Sequence, residues 1–201
     1  MLYLNNLGSS ELGFPDKKGK NLTIWVNGCN RNCKGCISSE ANRMPPPIVM
    51  SRYLLSLIFK EGGYDQLILS GGEPFLQAGE LAQTIREISL ITGGKPPVIC
   101  YTGNTIEELM SRQNPDELEL LSCVDMLIDG EYVEELDRQE RYRGSTNQRM
   151  IFLTGRYSAE EFPPMQRSIS INIYSDHLTM SGIPSRDQAK VWEKIKRSDE
   201  L

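Results

Sequence analysis

Leu22-Thr23-Ile24-Trp25-Val26-Asn27-Gly28-Cys29-Asn30-Arg31-Asn32-Cys33-Lys34-Gly35-Cys36 opens as a short apolar run and ends in a loop that carries three of the chain's five cysteines. Ile, Trp and Val bounded by polar residues and a glycine suit a buried strand. Later apolar runs repeat the pattern at residues 66–69, 98–101, 124–128, 150–153 and 168–174. Between them lie helix-like stretches at 48–60, 79–92, 105–112 and 115–121, and another at 185–197. Thr105 ahead of Glu107 and Glu108 places acids in a first turn. Asn114-Pro115-Asp116-Glu117 reads as a cap, a first-turn proline and acids. Ser185 ahead of Val191, Trp192 and Ile195 gives an amphipathic helix, and Pro45-Pro46-Pro47 is a short rigid connector.

This alternation predicts an α/β chain with parallel strands joined by right-handed crossovers. The expected architecture is an open, partial (β/α)6 barrel, with a doubly wound sheet as second choice. Either places its ligand site at the C-terminal ends of the strands. The unusual residues fall there. The cysteine loop follows the first strand, Ser70-Gly71-Gly72-Glu73-Pro74 the second, and Thr102-Gly103-Asn104 the third. Asp129-Gly130-Glu131 follows the fourth and Thr154-Gly155-Arg156 the fifth, so one rim is expected to collect them all.

Composition narrows the function. With 201 residues, 39% hydrophobic and 24% charged, the expectation is one globular domain over 1–201. A net charge of −5 speaks against a nucleic-acid partner. No apolar run approaches the ~20 residues of a membrane span, and residues 1–13 lack a signal-peptide pattern. The expected location is the cytoplasm, where thiols stay reduced and a cysteine triplet points to metal.

The spacing C-x3-C-x2-C puts Cys29, Cys33 and Cys36 on one loop able to wrap a single iron–sulfur cubane. Three ligands would leave one iron open to substrate. A structural zinc loop normally draws four protein ligands, often as two separated pairs. Here there is one triplet and a single histidine, His177, read as a turn residue beside Asp176. Cys100 and Cys123 fall at strand positions and are expected to be buried and inert. Gly71 and Gly72 permit close backbone approach to a ligand, and Glu73 is an acceptor suited to an ammonium group; a capped strand-to-helix turn would also explain them. Asp129 reads alternatively as a turn residue, 141–149 as a solvated loop, and Trp25 and Trp192 as core or interface aromatics.

The cysteine loop after a first strand, with Gly71-Gly72-Glu73-Pro74 after a second, resembles the radical S-adenosylmethionine (SAM) superfamily. Arg143-Gly144-Ser145-Thr146-Asn147-Gln148-Arg149, with Tyr101-Thr102-Gly103, Asp125 and Asp129-Gly130 upstream and Gly182-Ile183-Pro184 downstream, resembles one branch of it. That branch is the anaerobic ribonucleotide reductase activating proteins. The resemblance implies a [4Fe-4S] cluster on Cys29, Cys33 and Cys36 that reductively cleaves SAM to a 5′-deoxyadenosyl radical. It implies SAM contacts from Gly35, Cys36, Ile37, Gly71, Gly72, Glu73, Asp129 and Asn147. It further implies a glycyl-radical enzyme as partner, such as an anaerobic ribonucleotide reductase, and a one-electron donor such as flavodoxin or ferredoxin. Two other readings stand beside it: a radical SAM enzyme for a small molecule or peptide, and a non-catalytic iron–sulfur or metal-binding module.

Overall fold

The computed structural model describes residues 1–10, 19–38, 47–163, 166–173 and 178–198. Its strands and helices are, in order, β1 (Leu2–Gly8), β2 (Lys20–Val26), β3 (Ile48–Met50), α1 (Arg52–Glu61), β4 (Tyr64–Gly71), α2 (Ala78–Thr92), β5 (Val98–Tyr101), α3 (Ile106–Arg112), α4 (Pro115–Cys123), β6 (Met126–Asp129), β7 (Arg149–Phe152), β8 (Ile169–Ile173), β9 (Leu178–Gly182) and α5 (Arg186–Ser198). One open sheet has the order β3-β1-β2-β4-β5-β6-β7. Its centre, β2-β4-β5-β6, is parallel. The chain is therefore mixed α/β around a parallel core.

Each face of that core is buried. Leu22, Ile24, Val26, Leu67, Leu69, Val98, Cys100 and Leu127 pack under α1, α2 and α4, against Leu55, Phe59, Leu81, Ile85, Ile88 and Leu120. Each such side chain contributes about 1.5–3 kcal/mol on burial. Ile68, Ile99, Met126 and Ile128 face the other way and are covered by Tyr142, Tyr157 and Phe162. Aromatics from irregular segments thus cover the second face, whereas a doubly wound sheet would carry helices there.

The edges depart from the all-parallel expectation. β1 was not anticipated, because Leu-Asn-rich sequence has little β propensity; burial of Leu2 and Leu4 and pairing with β2 make it a strand. Residues 48–50 form β3 against β1 instead of opening a helix, as β-branched Ile48 and Val49 favour. Ser51 caps α1, its Oγ accepting from Leu54 N at 3.1 Å. β7 runs antiparallel to β6, since 130–148 holds only a short 3-10 turn and no crossover helix. The sixth apolar run forms β8, which pairs antiparallel with β9 in a separate two-stranded sheet. Cys123 closes α4 rather than entering a strand.

Reversal of β7 has a positional consequence. Thr154-Gly155-Arg156 leaves the ligand rim: Thr154 Oγ1 donates to Asp125 Oδ1 at 2.9 Å, at the start of β6. The segment ahead of β7, 141–149, takes the rim position instead. Pro45, Pro46, Asp176 and His177 lie outside the described residues. Among the described residues no helix is long and apolar enough to cross a membrane.

Candidate metal centre

The cysteine loop leaves β2 through Gly28, whose φ of 90° is open to glycine at little steric cost. Cys33 O accepts from Cys36 N at 3.3 Å, a tight turn, and Arg31 N lies 3.4 Å from Cys29 Sγ. Arg31 anchors the loop sideways, its Nη2 2.9 Å from both Asn104 Oδ1 and Glu108 Oε2. Lys34 Nζ reaches Glu134 at 3.2 Å and Glu135 at 3.4 Å. All three thiols are half-buried and line one cavity of about 120 Å³.

The glycine turn after β4 is stitched to the entry of that loop. Gly72 N donates to Val26 O and Glu73 N to Gly28 O, each at 2.8 Å. Gly71 has φ 99°, and a Cβ there would sit 2.5 Å from Val26 N. Glu73 is 1% exposed. Its Oε1 accepts from Phe75 N at 3.0 Å and Thr102 Oγ1 at 2.9 Å, and its Oε2 from Gly103 N at 2.9 Å. Burial pushes its pKa up while these donors pull it down. Glu73 therefore braces the loops after β4 and β5 while facing the cysteine cavity.

Burial raises the pKa of Cys29, with the Glu73 carboxylate adding to the rise. Cys33 is pushed up to about 11 by burial and by Glu131, whose Oε1 accepts from its Sγ at 3.5 Å. Ligation needs thiolates, so a cationic group must supply the compensating charge. Among the described residues no three His, Cys, Asp or Glu side chains converge on one metal ion. Three thiols spread around one cavity fit a multi-iron cluster, whose ligands attach to separate irons, better than a tetrahedral mononuclear site.

A second cavity of about 470 Å³ adjoins the first, sharing Cys36, Ser70, Gly71, Tyr101, Tyr132 and Gln148. Gly35, Cys36, Ile37 and Gly71 line this larger space, and Cys36, Gly71, Gly72 and Glu73 the smaller. Asp129 and Asn147 line neither. Asp129 is fully buried, accepting from Ile106 N at 2.8 Å and Arg149 Nε at 2.9 Å. Asn147 is exposed and donates to Glu131 O at 2.8 Å. Gln148 takes the interior place, with Nε2 on Gly130 O at 2.8 Å and Oε1 accepting from Gly144 N at 2.7 Å. Trp25, Arg31, Tyr132 and Gln148 were not anticipated as site residues. Trp25 had a signal: Ile24 and Val26 are core-facing, so strand alternation turns Trp25 toward the opposite face and the cavity.

Comparison with known proteins also points to an iron–sulfur cluster. Residues 16–151 match the family described as a 4Fe-4S single cluster domain. The chain is 28% identical over 142 residues to the anaerobic ribonucleoside-triphosphate reductase-activating protein of Haemophilus influenzae, covering 65% of this chain and 86% of that protein. The protein of the same name from Vibrio cholerae is 29% identical over 143 residues, with the same shares covered. That of Enterobacteria phage T4 is 28% identical over 144 residues, covering 68% of this chain and 86% of the phage protein. With the match to the family spanning most of the chain and three thiols meeting at one cavity, the chain belongs to the 4Fe-4S single cluster domain family.

Proposed function

We propose that this chain is a radical SAM activating enzyme that generates a glycyl radical on an anaerobic ribonucleotide reductase-like partner. Cys29, Cys33 and Cys36 hold the cluster as thiolates. Cys100 and Cys123 lie in the helix-covered core, which supports a three-cysteine ligand set with one iron corner left to the co-substrate. When bound, the cluster supplies the single electron that breaks the sulfur–C5′ bond of SAM, releasing methionine and a 5′-deoxyadenosyl radical.

The observation that carries this reading is the shared wall between the two cavities. Cys36 and Gly71 belong to both, so a ligand in the larger space touches the metal loop directly. Its volume falls in the range of small-molecule sites. Trp25, Tyr101 and Tyr132 offer flat surfaces for a nucleoside. Gly71 and Gly72 bring backbone close to the ligand, and Glu73 presents a carboxylate at the ammonium side. Asp129, through Arg149 and α3, and Asn147, through Glu131, shape the rim. The open sheet is read as a reduced barrel of the radical SAM type, which leaves the cavity accessible to a loop of a partner protein. A small acidic electron carrier such as flavodoxin or ferredoxin would serve as reductant.

Anaerobically reconstituted protein, reduced with dithionite in the presence of SAM, is expected to release 5′-deoxyadenosine. With its reductase partner it is expected to give a doublet in electron paramagnetic resonance. A fully loaded cluster that yields no 5′-deoxyadenosine overturns the reading.

A further inference from the structure

One buried arginine, remote in sequence from the cysteine loop, assembles the far wall of the larger cavity. The side chain of Arg167 is 2% exposed and that of Asp137, its ion partner, 8%. Arg167 Nε donates to Glu140 O at 3.0 Å, and Nη1 to Asp137 Oδ2 at 3.0 Å and Pro184 O at 3.1 Å. Nη2 donates to Arg143 O at 2.9 Å and Gly144 O at 2.8 Å, and lies 2.8 Å from Asp137 Oδ1. A guanidinium carries five N–H groups in a planar fork, which matches these five hydrogen bonds, and the Asp137 Oδ1 contact adds the ion pair. Removing a buried charge of this kind leaves its partner uncompensated, so stability alone would be one reason for its presence.

Its position gives it a second. Arg167, Asp137, Gly144 and Pro184 all line the 470 Å³ cavity that Cys36 also lines. Among the described residues the β8–β9 pair shares no ladder with the seven-stranded sheet, and its own ladder ends at the Ile169–Gly182 pair, so no strand pairing fixes the segment that runs on from Gly182. That segment, 182–190, supplies the wall through Ile183, Pro184, Ser185 and Lys190. Besides Arg167, its ties to the body include Ile183 packing on the aromatic cluster and a 3.5 Å contact from Arg186 Nη2 to Asp137 O. A bridge between Glu140 and Gln166 lies on the same seam. Arg167 gathers the 137–144 loop and Pro184 onto one group.

We propose that Arg167 is a positioning residue for the nucleoside sulfonium in this cavity, acting by clasping the 182–190 wall to the 137–144 loop at a fixed distance from Cys36. The inference rests on the SAM reading given above. Lysine keeps the charge but offers three donors on a flexible stem, so it serves only part of the acceptor set. A wall that must be ordered by the ligand subtracts that ordering from the affinity.

The test compares Arg167→Lys and Arg167→Met with Asp125→Asn, a substitution in the buried network at the opposite rim. Each protein is reconstituted anaerobically; iron per chain is counted and SAM binding measured by equilibrium dialysis. The Arg167 variants are expected to keep their iron and to bind SAM about tenfold more weakly, the order of loss found when supporting partners of a site are removed. Proteolysis within 182–190 should be faster in them. Asp125→Asn is expected to bind SAM as the wild type does. If Arg167→Met does not fold, Arg167→Lys decides. Unchanged SAM affinity in the folded Arg167 variants overturns the clasp, as does equal weakening in Asp125→Asn. Loaded wild-type protein that binds no SAM overturns the functional reading and the clasp with it.

Discussion

Arg149 stands directly opposite Asp129 in the antiparallel β6–β7 ladder, and its guanidinium closes on a carboxylate with no exposure to solvent. Nε lies 2.9 Å from Oδ1, while Oδ2 accepts from Ile106 N, an open donor at the start of α3. One carboxylate thus joins two strands and a helix beside the metal rim. Asp129→Asn is expected to lower the unfolding free energy by about 1–3 kcal/mol, the range for stripping a partner from a buried polar group. Urea denaturation measures it. A change within a few tenths would mean that the contact carries no net stability.

The same arginine holds Glu107, with Nη1 3.0 Å from Oε1, and keeps that carboxyl well below its usual 4.5, at about 2. The sign follows from linkage. A depressed folded pKa contributes stability that is complete above 4.5 and lost as pH falls through about 2. Melting temperature in that acidic window is therefore expected to fall less steeply in Glu107→Gln than in the wild type. Glu107 is exposed, so the effect is modest and shrinks with added salt. Parallel pH profiles would remove Glu107 from the account.

Gly71→Ala tests the seam between turn and cysteine loop. A Cβ would stand 2.5 Å from Val26 N and 2.6 Å from Trp25 C, at a φ of 99°. These contacts are backbone and cannot swing aside. The expected loss is roughly 2 kcal/mol or more, together with weakened iron retention, because Gly72 and Glu73 must shift from Val26 and Gly28. A variant as stable as the wild type would show that the strands do not approach so closely.

Cys33→Ala and Cys123→Ala separate ligand from core. Cys33 lines the smaller cavity, whereas Cys123 is 7% exposed in the helix-covered core. After anaerobic reconstitution the first is expected to hold only trace iron and the second a full complement, at about 1 kcal/mol lower stability. Equal iron loss in both would overturn the ligand assignment.

Much of this arrangement was legible in local sequence. The cysteine spacing, the turn at 71–74 and the four central strands have short-range signatures: alternating apolar residues, glycines at strand ends, and thiols on one loop. The starts of α3 and α4 were equally plain. Asn114 Oδ1 accepts from Asp116 N at 3.0 Å, and Thr105 and Glu108 cap each other's backbone, as their residue types implied. Ser185 likewise caps α5, its Oγ accepting from Gln188 N at 3.2 Å.

Other features needed the folded chain. The apolar run at 150–153 does not declare its direction, because side-chain alternation reads the same along either sense of a strand. Pairing with β6 decided it, and so moved 154–156 off the rim and brought Gln148 in. The wall at 182–190 is likewise invisible locally, since it depends on Arg167 meeting carbonyls from residues 140–144 and 184. By itself the amino-acid sequence determined the cysteine loop, the turn and the caps of α3, α4 and α5, whose physics operates within a few residues. The tertiary structure decided strand direction and cavity walls, because hydrogen bonds between distant segments set both.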